Sequence, residues 1–471
     1  MGQAKHRYTA RRNKKQHQPI ADPRAGALAV LDRLAAGRAT LDALLEASVP
    51  QFSGLSRRDR ALFNGLVHGV LRWRLRLDAV VETFSDRPLN RMTPAVLNIL
   101  RLGLFQMLFM DRIPAPAAVN TAVNLTRANK KTAGAAGFVN ALLRNVLRDP
   151  ERFALPDAAA FPVKRIAVEK SFPPWLVSRW VDRLGPAETV RLCDAMNTIP
   201  PITLRCNGLR NSLPELVDAL GAEGVEAAVV EAVPGALDLI SPRRPVFEMQ
   251  AFTDGRFAVQ DAAAQLVSLL LAPRPGETVL DACAGLGGKT MHLAHLMRNR
   301  GRIVALDKIP AKLTRLEEEA RRLGVSIATT RRTDLDRGVT PLESMRFDRV
   351  LLDAPCSGLG VLRRNPDAKW SSHKKDIARF ADRQVRFLDR LAPLVKRGGT
   401  LVFAVCSMEP EENEAVITRF LKNHADFAIS GYQSVEEKCV RPFQDDTGFL
   451  RTSPHDHQMD GFFAARLDRR S

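Results

Sequence analysis

Residues 351–360 read LLDAPCSGLG. An apolar run ends in Asp353, a stiff Ala-Pro step follows, and Cys356 comes next with a flexible Ser-Gly behind it. That order describes a buried parallel strand stopping at a reactive edge, and ligands of open α/β sheets gather outside the carboxyl ends of the strands. An acid and a thiol delivered there are placed for chemistry, with Cys356 as a candidate nucleophile. The competing reading is a small buried cysteine in a turn. A second thiol, Cys406, closes the apolar run 400–405 and precedes Ser407 and MEPEENE, in which Glu411, Glu412 and Glu414 read as the dipole-favoured first turn of a helix. If the two runs are neighbouring strands, Cys356 and Cys406 face one pocket.

Methylation at carbon 5 of a pyrimidine uses two such thiols. That carbon is a poor nucleophile toward S-adenosylmethionine until something adds to carbon 6 and converts the ring to an enamine, which a soft, partly ionised thiolate does well. An acid must meet the negative charge that builds at ring nitrogen 3, and Asp353 is in reach of that task. A base must then remove the carbon 5 proton, which gives the second cysteine a role.

The elements that position these groups follow from the pattern after Phe257. Candidate strands at 278–282, 302–307, 325–330, 347–353 and 400–405 alternate with helical stretches, the signature of a parallel sheet covered by helices on both faces, and 461–467 reads as one more strand, antiparallel beside the last. The first strand runs into Asp281-Ala-Cys-Ala-Gly-Leu-Gly-Gly-Lys-Thr290. A P-loop would need glycine at 283, which is Cys283, and the dinucleotide fingerprint lacks its third glycine, which counts against an oxidoreductase. Asp307 lies 20 residues past Gly287, where a carboxylate reaches a ribose diol, and Asp334 after the third strand suits an adenine amino group. With Asp353, three consecutive strand ends carry an acid around a glycine loop, as a nucleoside pocket requires.

The chain has 471 residues, 45% hydrophobic and 26% charged, enough for two or three domains. From Asp22 to Arg148 the spacing is helical throughout, through Leu28, Leu31 and Leu34, then Leu62, Leu66 and Val70, then Val96, Leu100, Leu104 and Leu108, which predicts an all-α bundle over 21–150. Arg57, Arg58, Arg60, Arg72, Arg74 and Arg76 predict a basic face on it. A small α+β module without evident chemistry is expected over 165–255, and the sheet domain over 256–471. Residues 1–20 read as a basic disordered tail. The net charge of +18 and pI near 10.2 draw polyanions, nucleic acid first among them. No run of about 18 apolar residues could span a membrane, the opening MGQAKHRYTARRNKKQHQ lacks a secretory core, and six scattered cysteines without a CxxC or HExxH point away from metal and toward a reducing compartment. A cytoplasmic, monomeric protein is expected.

Asp281 to Thr290, Asp353-Ala-Pro-Cys356-Ser-Gly and Val405-Cys406-Ser-Met-Glu-Pro-Glu-Glu-Asn-Glu resemble the motifs of the RsmB/NOP (Sun/Fmu and nucleolar-protein) family of RNA cytosine-C5 methyltransferases. Val259-Gln260-Asp261, Arg363-Arg364-Asn365-Pro366-Asp367 with Trp370, and Gly461-Phe462-Phe463 belong to the same resemblance, which runs from about residue 165 to 471. Phe63-Asn64-Gly65 and Asn140-Ala-Leu-Leu-Arg-Asn145 make the bundle similar to a NusB-like RNA-binding domain. The resemblance implies a Rossmann-like methyltransferase domain, S-adenosylmethionine held by Cys283, Ala284, Gly285, Leu286, Gly287, Gly288, Lys289, Asp307, Asp334 and Asp353, and a cytidine of small-subunit ribosomal RNA as substrate. It makes Cys406 the attacking thiol and Cys356 the one that assists release. This chain has Gly285-Leu286 where the family usually has Ala-Pro, and Val405 where Thr is common. The other readings are a family member acting on transfer RNA and a non-enzymatic RNA-binding assembly factor; the latter would have no use for both thiols, Asp353 and the glycine loop together.

Overall fold

The computed structural model describes residues 20, 22–37, 39–242, 244–430 and 438–470. Apart from Ile20, the stretch expected as a basic tail lies outside them. The chain divides into two compact units, Met1–Phe172 and Pro173–Ser471. No helix among the described residues is long and apolar enough to cross a membrane.

The first unit is helical: Pro23–Ala35, Leu41–Ser48, Arg57–Arg72, Arg74–Phe84, Pro94–Phe109, Ala115–Ala128, Ala136–Arg148 and Pro162–Lys170. Asp22, Thr40, Ser56 and Thr93 cap four of these with side-chain oxygens that accept orphan first-turn N–H groups. Leu28, Leu31, Leu66, Val70, Val96, Leu100 and Leu104 form the core as the helical period predicts, while Leu108 at the end of its helix is exposed. Gly69 lets the ring of Phe105 lie directly on the helix backbone, where a Cβ would collide with it. The expected arginine row is not one solvent-facing stripe. Arg57 and Arg58 are exposed, but Arg72 is buried and Arg60 and Arg76 donate to the carbonyls of Leu55 and Glu169 at 3.2 Å. The spacing of charges along a helix carried no information about which of them the neighbouring segment would cover.

The second unit holds two sheets. Strands β1 (Ile202–Cys206), β2 (Glu226–Val229), β3 (Ala236–Ile240) and β4 (Phe257–Val259) form an antiparallel sheet in the order β2-β3-β1-β4. The helix Leu213–Ala222 joins β1 to β2 and starts with a capping box between Ser212 and Glu215. The larger sheet uses β5 (Thr278–Asp281), β6 (Arg302–Asp307), β7 (Ala328–Arg332), β8 (Phe347–Asp353), β9 (Val395–Val405), β10 (Phe427–Ile429), β11 (Leu450–Thr452) and β12 (Phe462–Arg469). Its order is β10-β12-β9-β8-β5-β6-β7, with β11 beside β12. Strands β5 to β9 are parallel, and β12 inserts antiparallel between β9 and β10.

Alternate residues serve opposite faces. Leu280, Val304, Val350, Leu352 and Phe403 pack with Phe387, Leu388, Val416 and Phe420 of the helices Lys374–Leu391 and Glu414–Asn423 on one side. Val279, Ile303, Leu351 and Val402 pack with Leu266, Leu270 and Leu293 of the helices Ala262–Leu271 and Gly288–Leu296 on the other. Two strands differ from expectation. β7 begins at Ala328 rather than 325, because Gly324 takes a left-handed turn (φ +75°) and Val325 is still bonded back to Ala320. β9 begins at Val395 rather than 400, with a register shift opposite Phe347 and Arg349 and a left-handed Gly398 within it. The strand order reverses between β5 and β8, which makes their carboxyl ends the switch point of the sheet.

Candidate active site

The chain leaves β5 at the switch point and crosses the ends of its neighbours. Ala282 N donates to Leu351 O at 2.9 Å and Ala284 N to Leu306 O at 2.8 Å. Gly285 and Gly287 are left-handed (φ +57° and +89°), conformations that side chains rarely adopt. A Cβ on Gly287 would lie 2.6 Å from Leu316, whereas one on Gly285 would meet nothing within 4 Å. The loop therefore packs tightly behind and presents bare backbone to open space in front.

In front of it lies a cavity of about 440 Å³ lined by Cys283, Gly285, Asp307, Ile309, Asp334, Asp353, Cys356, Phe387 and Cys406. Ala284, Leu286, Gly287, Gly288 and Lys289 are not among its walls. Leu286 is 52% exposed, and Gly288 opens the helix that follows. Asp307 and Asp334 each spend one oxygen on their own turn, accepting from Ile309 N at 2.8 Å and Asp336 N at 3.1 Å.

The register of β8 against β9 sets Asp353 opposite Ala404, so both cysteine loops start at one edge. Cys356 Sγ and Cys406 Sγ are 3.3 Å apart. The contact with Cys406 pushes the Cys356 thiol well up, and burial and the charge of Glu412 add to the rise. Lys289 Nζ donates to Asp353 Oδ2 at 2.7 Å and lies 5.2 Å from the centre of the Phe462 ring. Burial pulls the ammonium pKa down, but the Asp353 carboxylate outweighs it, and the net shift is upward. Gly360 N donates to Cys406 O at 3.0 Å, and Gly461 N donates to Gly360 O at 2.8 Å, bracing the second cysteine from behind.

Three arrangements were not legible in the sequence. Glu412, expected in the dipole-favoured first turn of a helix, is fully buried and accepts from Ser357 N (2.9 Å), Ser357 Oγ (2.5 Å) and Ser407 Oγ (2.7 Å). Glu409, also fully buried, accepts from Trp180 Nε1 at 3.0 Å and Arg179 Nε at 2.9 Å, while Arg183 donates to Met408 O at 3.0 Å. The stretch before β1, read as having no chemistry, thus supports the Cys406 loop. Arg363 and Arg364 both close on Asp261 and Asp460, at 2.6 to 3.3 Å, joining motifs distant in sequence. A signal for Glu412 and Glu409 existed in the density of carboxylates beside a reactive residue, but spacing alone could not say which faced inward.

Among the described residues, Glu188, His455 and Asp456 have the spacing of metal ligands. Arg191 lies 2.7 Å from Glu188 and 3.5 Å from Asp456 and supplies the positive charge there.

Behind the glycine loop, burial raises the Asp281 carboxyl to about 6 against the bond from Thr290 Oγ1 at 2.6 Å. A raised carboxyl stabilises the fold fully below the unfolded value near 4, and that contribution is lost as pH rises through 6. Asp281→Asn keeps an acceptor for Thr290. Its unfolding free energy relative to the parent chain is expected to improve by about 2 kcal/mol between pH 4 and pH 7 in denaturant titrations. A pH-independent difference would mean that the carboxylate is charged throughout.

The parallel sheet with its antiparallel insert, the glycine loop at the switch point and the acids at successive strand ends define a Rossmann-like methyltransferase domain. Residues 268–468 match the family described as 16S rRNA methyltransferase RsmB/F, 172–246 the RsmF/B-like ferredoxin-like domain, and 21–148 the NusB family. The chain belongs to the RsmB/F family. It is 38% identical to the probable ribosomal RNA small subunit methyltransferase B of Bacillus subtilis, over 94% of this chain and 98% of the relative. It is 36% identical to ribosomal RNA small subunit methyltransferase B of Pseudomonas syringae pv. tomato, over 95% and 96%. The crystal structure of PH0851 matches 96% of this chain and 100% of its own with a TM-score of 0.78 at 26% identity.

Proposed function

We propose that this chain is an S-adenosylmethionine-dependent RNA methyltransferase that modifies carbon 5 of a cytidine in small-subunit ribosomal RNA through a covalent Cys406 adduct. The observation that carries the reading is the pair of thiols 3.3 Å apart lining a cavity whose walls also include Gly285, Asp307 and Asp334. That cavity fits the cofactor: bare glycine backbone faces open space, and acids stand where a ribose diol and an adenine amino group need acceptors. Asp307, Asp334 and the backbone at Cys283 and Gly285 would hold S-adenosylmethionine, which supplies the methyl group.

The chain's own residues account for the rest. Cys406 attacks carbon 6, the role that the family resemblance gives it. Negative charge then builds at ring nitrogen 3 beside the Asp353–Lys289 pair, which supplies the proton that meets it. Once the Cys406 sulfur is bonded to carbon it no longer bears a negative charge, and one cause of the raised Cys356 pKa disappears. Cys356 then loses its proton to solvent and, as the thiolate, takes the carbon 5 proton; the sulfur–carbon bond breaks, Cys406 leaves as the thiolate and the ring regains aromaticity. The family relationship supports ribosomal RNA as the substrate.

Bisulfite sequencing of ribosomal and transfer RNA from a deletion strain is expected to show one 5-methylcytosine lost from small-subunit ribosomal RNA and restored by the wild-type gene. Loss from transfer RNA instead would reassign the substrate. No lost position in either would overturn the reading.

A further inference from the structure

Both cysteine loops end in a serine, and both serines are tied to one carboxylate. Ser357 Oγ and Ser407 Oγ converge on Glu412 Oε2 at 2.5 and 2.7 Å and lie 3.2 Å from each other. The other oxygen, Oε1, accepts from Ser357 N at 2.9 Å and from Gln384 Nε2 at 3.2 Å, and Gln384 also donates to Pro355 O at 3.0 Å. Glu412, Ser407 and Gln384 are each fully buried, so these bonds have no competition from solvent. The cysteines themselves share only the sulfur contact, and they come from loops 50 residues apart in sequence. Ala354 N to Ala404 O is the last strand-type bond before the two loops.

We infer that Glu412 is a positioning residue that clamps the Ser357 and Ser407 ends of the two loops together and thereby holds Cys356 and Cys406 at reacting distance. It is not among the walls of the cofactor cavity. A charged acceptor is well suited to the task, because one carboxylate takes four donors where a hydroxyl or a single carbonyl would saturate. Burial drives the Glu412 pKa up against those four bonds. Gln could serve the same geometry. Its carbonyl oxygen would face Ser357 N and Gln384, and its amide would donate to the two hydroxyls, which can reverse their roles.

This inference rests on Cys356 and Cys406 being the working thiols, and its test needs neither RNA nor the methyl donor. A diazenedicarboxamide oxidant converts two adjacent thiols to a disulfide, taking up their two protons and two electrons to become the hydrazine. The Cys356–Cys406 bond is counted by a 2 Da mass loss in a chain whose other four cysteines are replaced by serine or alanine. Glu412→Ala is expected to slow bond formation roughly tenfold or more, since small misplacements at reacting distance carry large rate costs. Glu412→Gln is expected to stay within about threefold of the parent. In methylation assays Glu412→Ala should lower kcat with little change in the KM for S-adenosylmethionine, and Glu412→Gln should recover it. Where Glu412→Ala fails to fold, the Ser357→Ala/Ser407→Ala double variant takes its place and is expected to slow the cross-link in the same way. Cross-linking at the parent rate in whichever of the two folds would overturn the inference, as would a Gln variant as slow as the Ala variant. A parent chain that cross-links as described but methylates no RNA would sink the proposed function alone.

Discussion

Cys406→Ala is expected to lower methylation of small-subunit ribosomal RNA by at least about 10³-fold, a loss typical of removing a covalent nucleophile. The fold should tolerate the change, because Cys406 is only partly buried and what binds its loop is its backbone carbonyl, which receives Gly360 N at 3.0 Å. S-adenosylmethionine binding, measured by calorimetry, should change little. Cys356→Ala gives the contrasting result: Cys406 still attacks, release fails, and a covalent RNA–protein species accumulates on a denaturing gel. The two outcomes together assign the two thiols. Methylation by Cys406→Ala at the parent rate would reverse the assignment, and an inactive Cys356→Ala without trapped RNA would remove it from the release step.

A large effect is also expected at a residue that has no side chain. Gly360→Ala should cut methylation about 100-fold, because the added Cβ would fall inside van der Waals distance of Gly461 O and within 3.0 Å of Cys406 O. Those are backbone atoms, so no flexible side chain can swing away to make room. Gly461 is under the same constraint, with Met408 Sδ 2.7 Å and Gly360 Cα 2.9 Å from where its Cβ would be. The displaced element is the loop carrying Cys406, the proposed nucleophile, so kcat should fall while cofactor binding stays within a few-fold. Normal activity in Gly360→Ala would show that the loop adjusts without cost.

The main-chain architecture around the thiols could be read in advance because it rests on local signals. Apolar runs ended in Asp353 and Cys406, glycines stood where the backbone turns left-handed, and strands alternated with helices. Even the placement of 461–467 as an antiparallel partner beside the last parallel strand agrees with β12 against β9. What escaped were partnerships between side chains far apart in sequence. Lys289 read as part of a cofactor loop, but its ammonium reaches Asp353. Glu411 was expected at a helix dipole and instead meets Arg179 at 2.7 Å. Periodicity reports which face of an element is apolar. It does not report which polar groups a neighbouring element will bury, and Glu409, Glu412 and Arg72 are all cases of that kind.

The position of β12 bears on how the molecule assembles. Residues 462–469 do not cover an outer edge; they fill an interior lane between β9 and β10. Pairings such as Ala404 with Ala464 span large separations along the chain, and non-local pairing of this kind slows folding because loop closure must precede any gain in contacts. During vectorial synthesis the helical unit can consolidate first, while the sheet waits for its last lane. Until those residues leave the ribosome, β9 has an open edge and Cys406 lacks the Gly360–Gly461 brace. Catalytic competence thus waits for residues 462–469, and a message truncated before codon 462 would yield a folded helical unit attached to an inactive sheet.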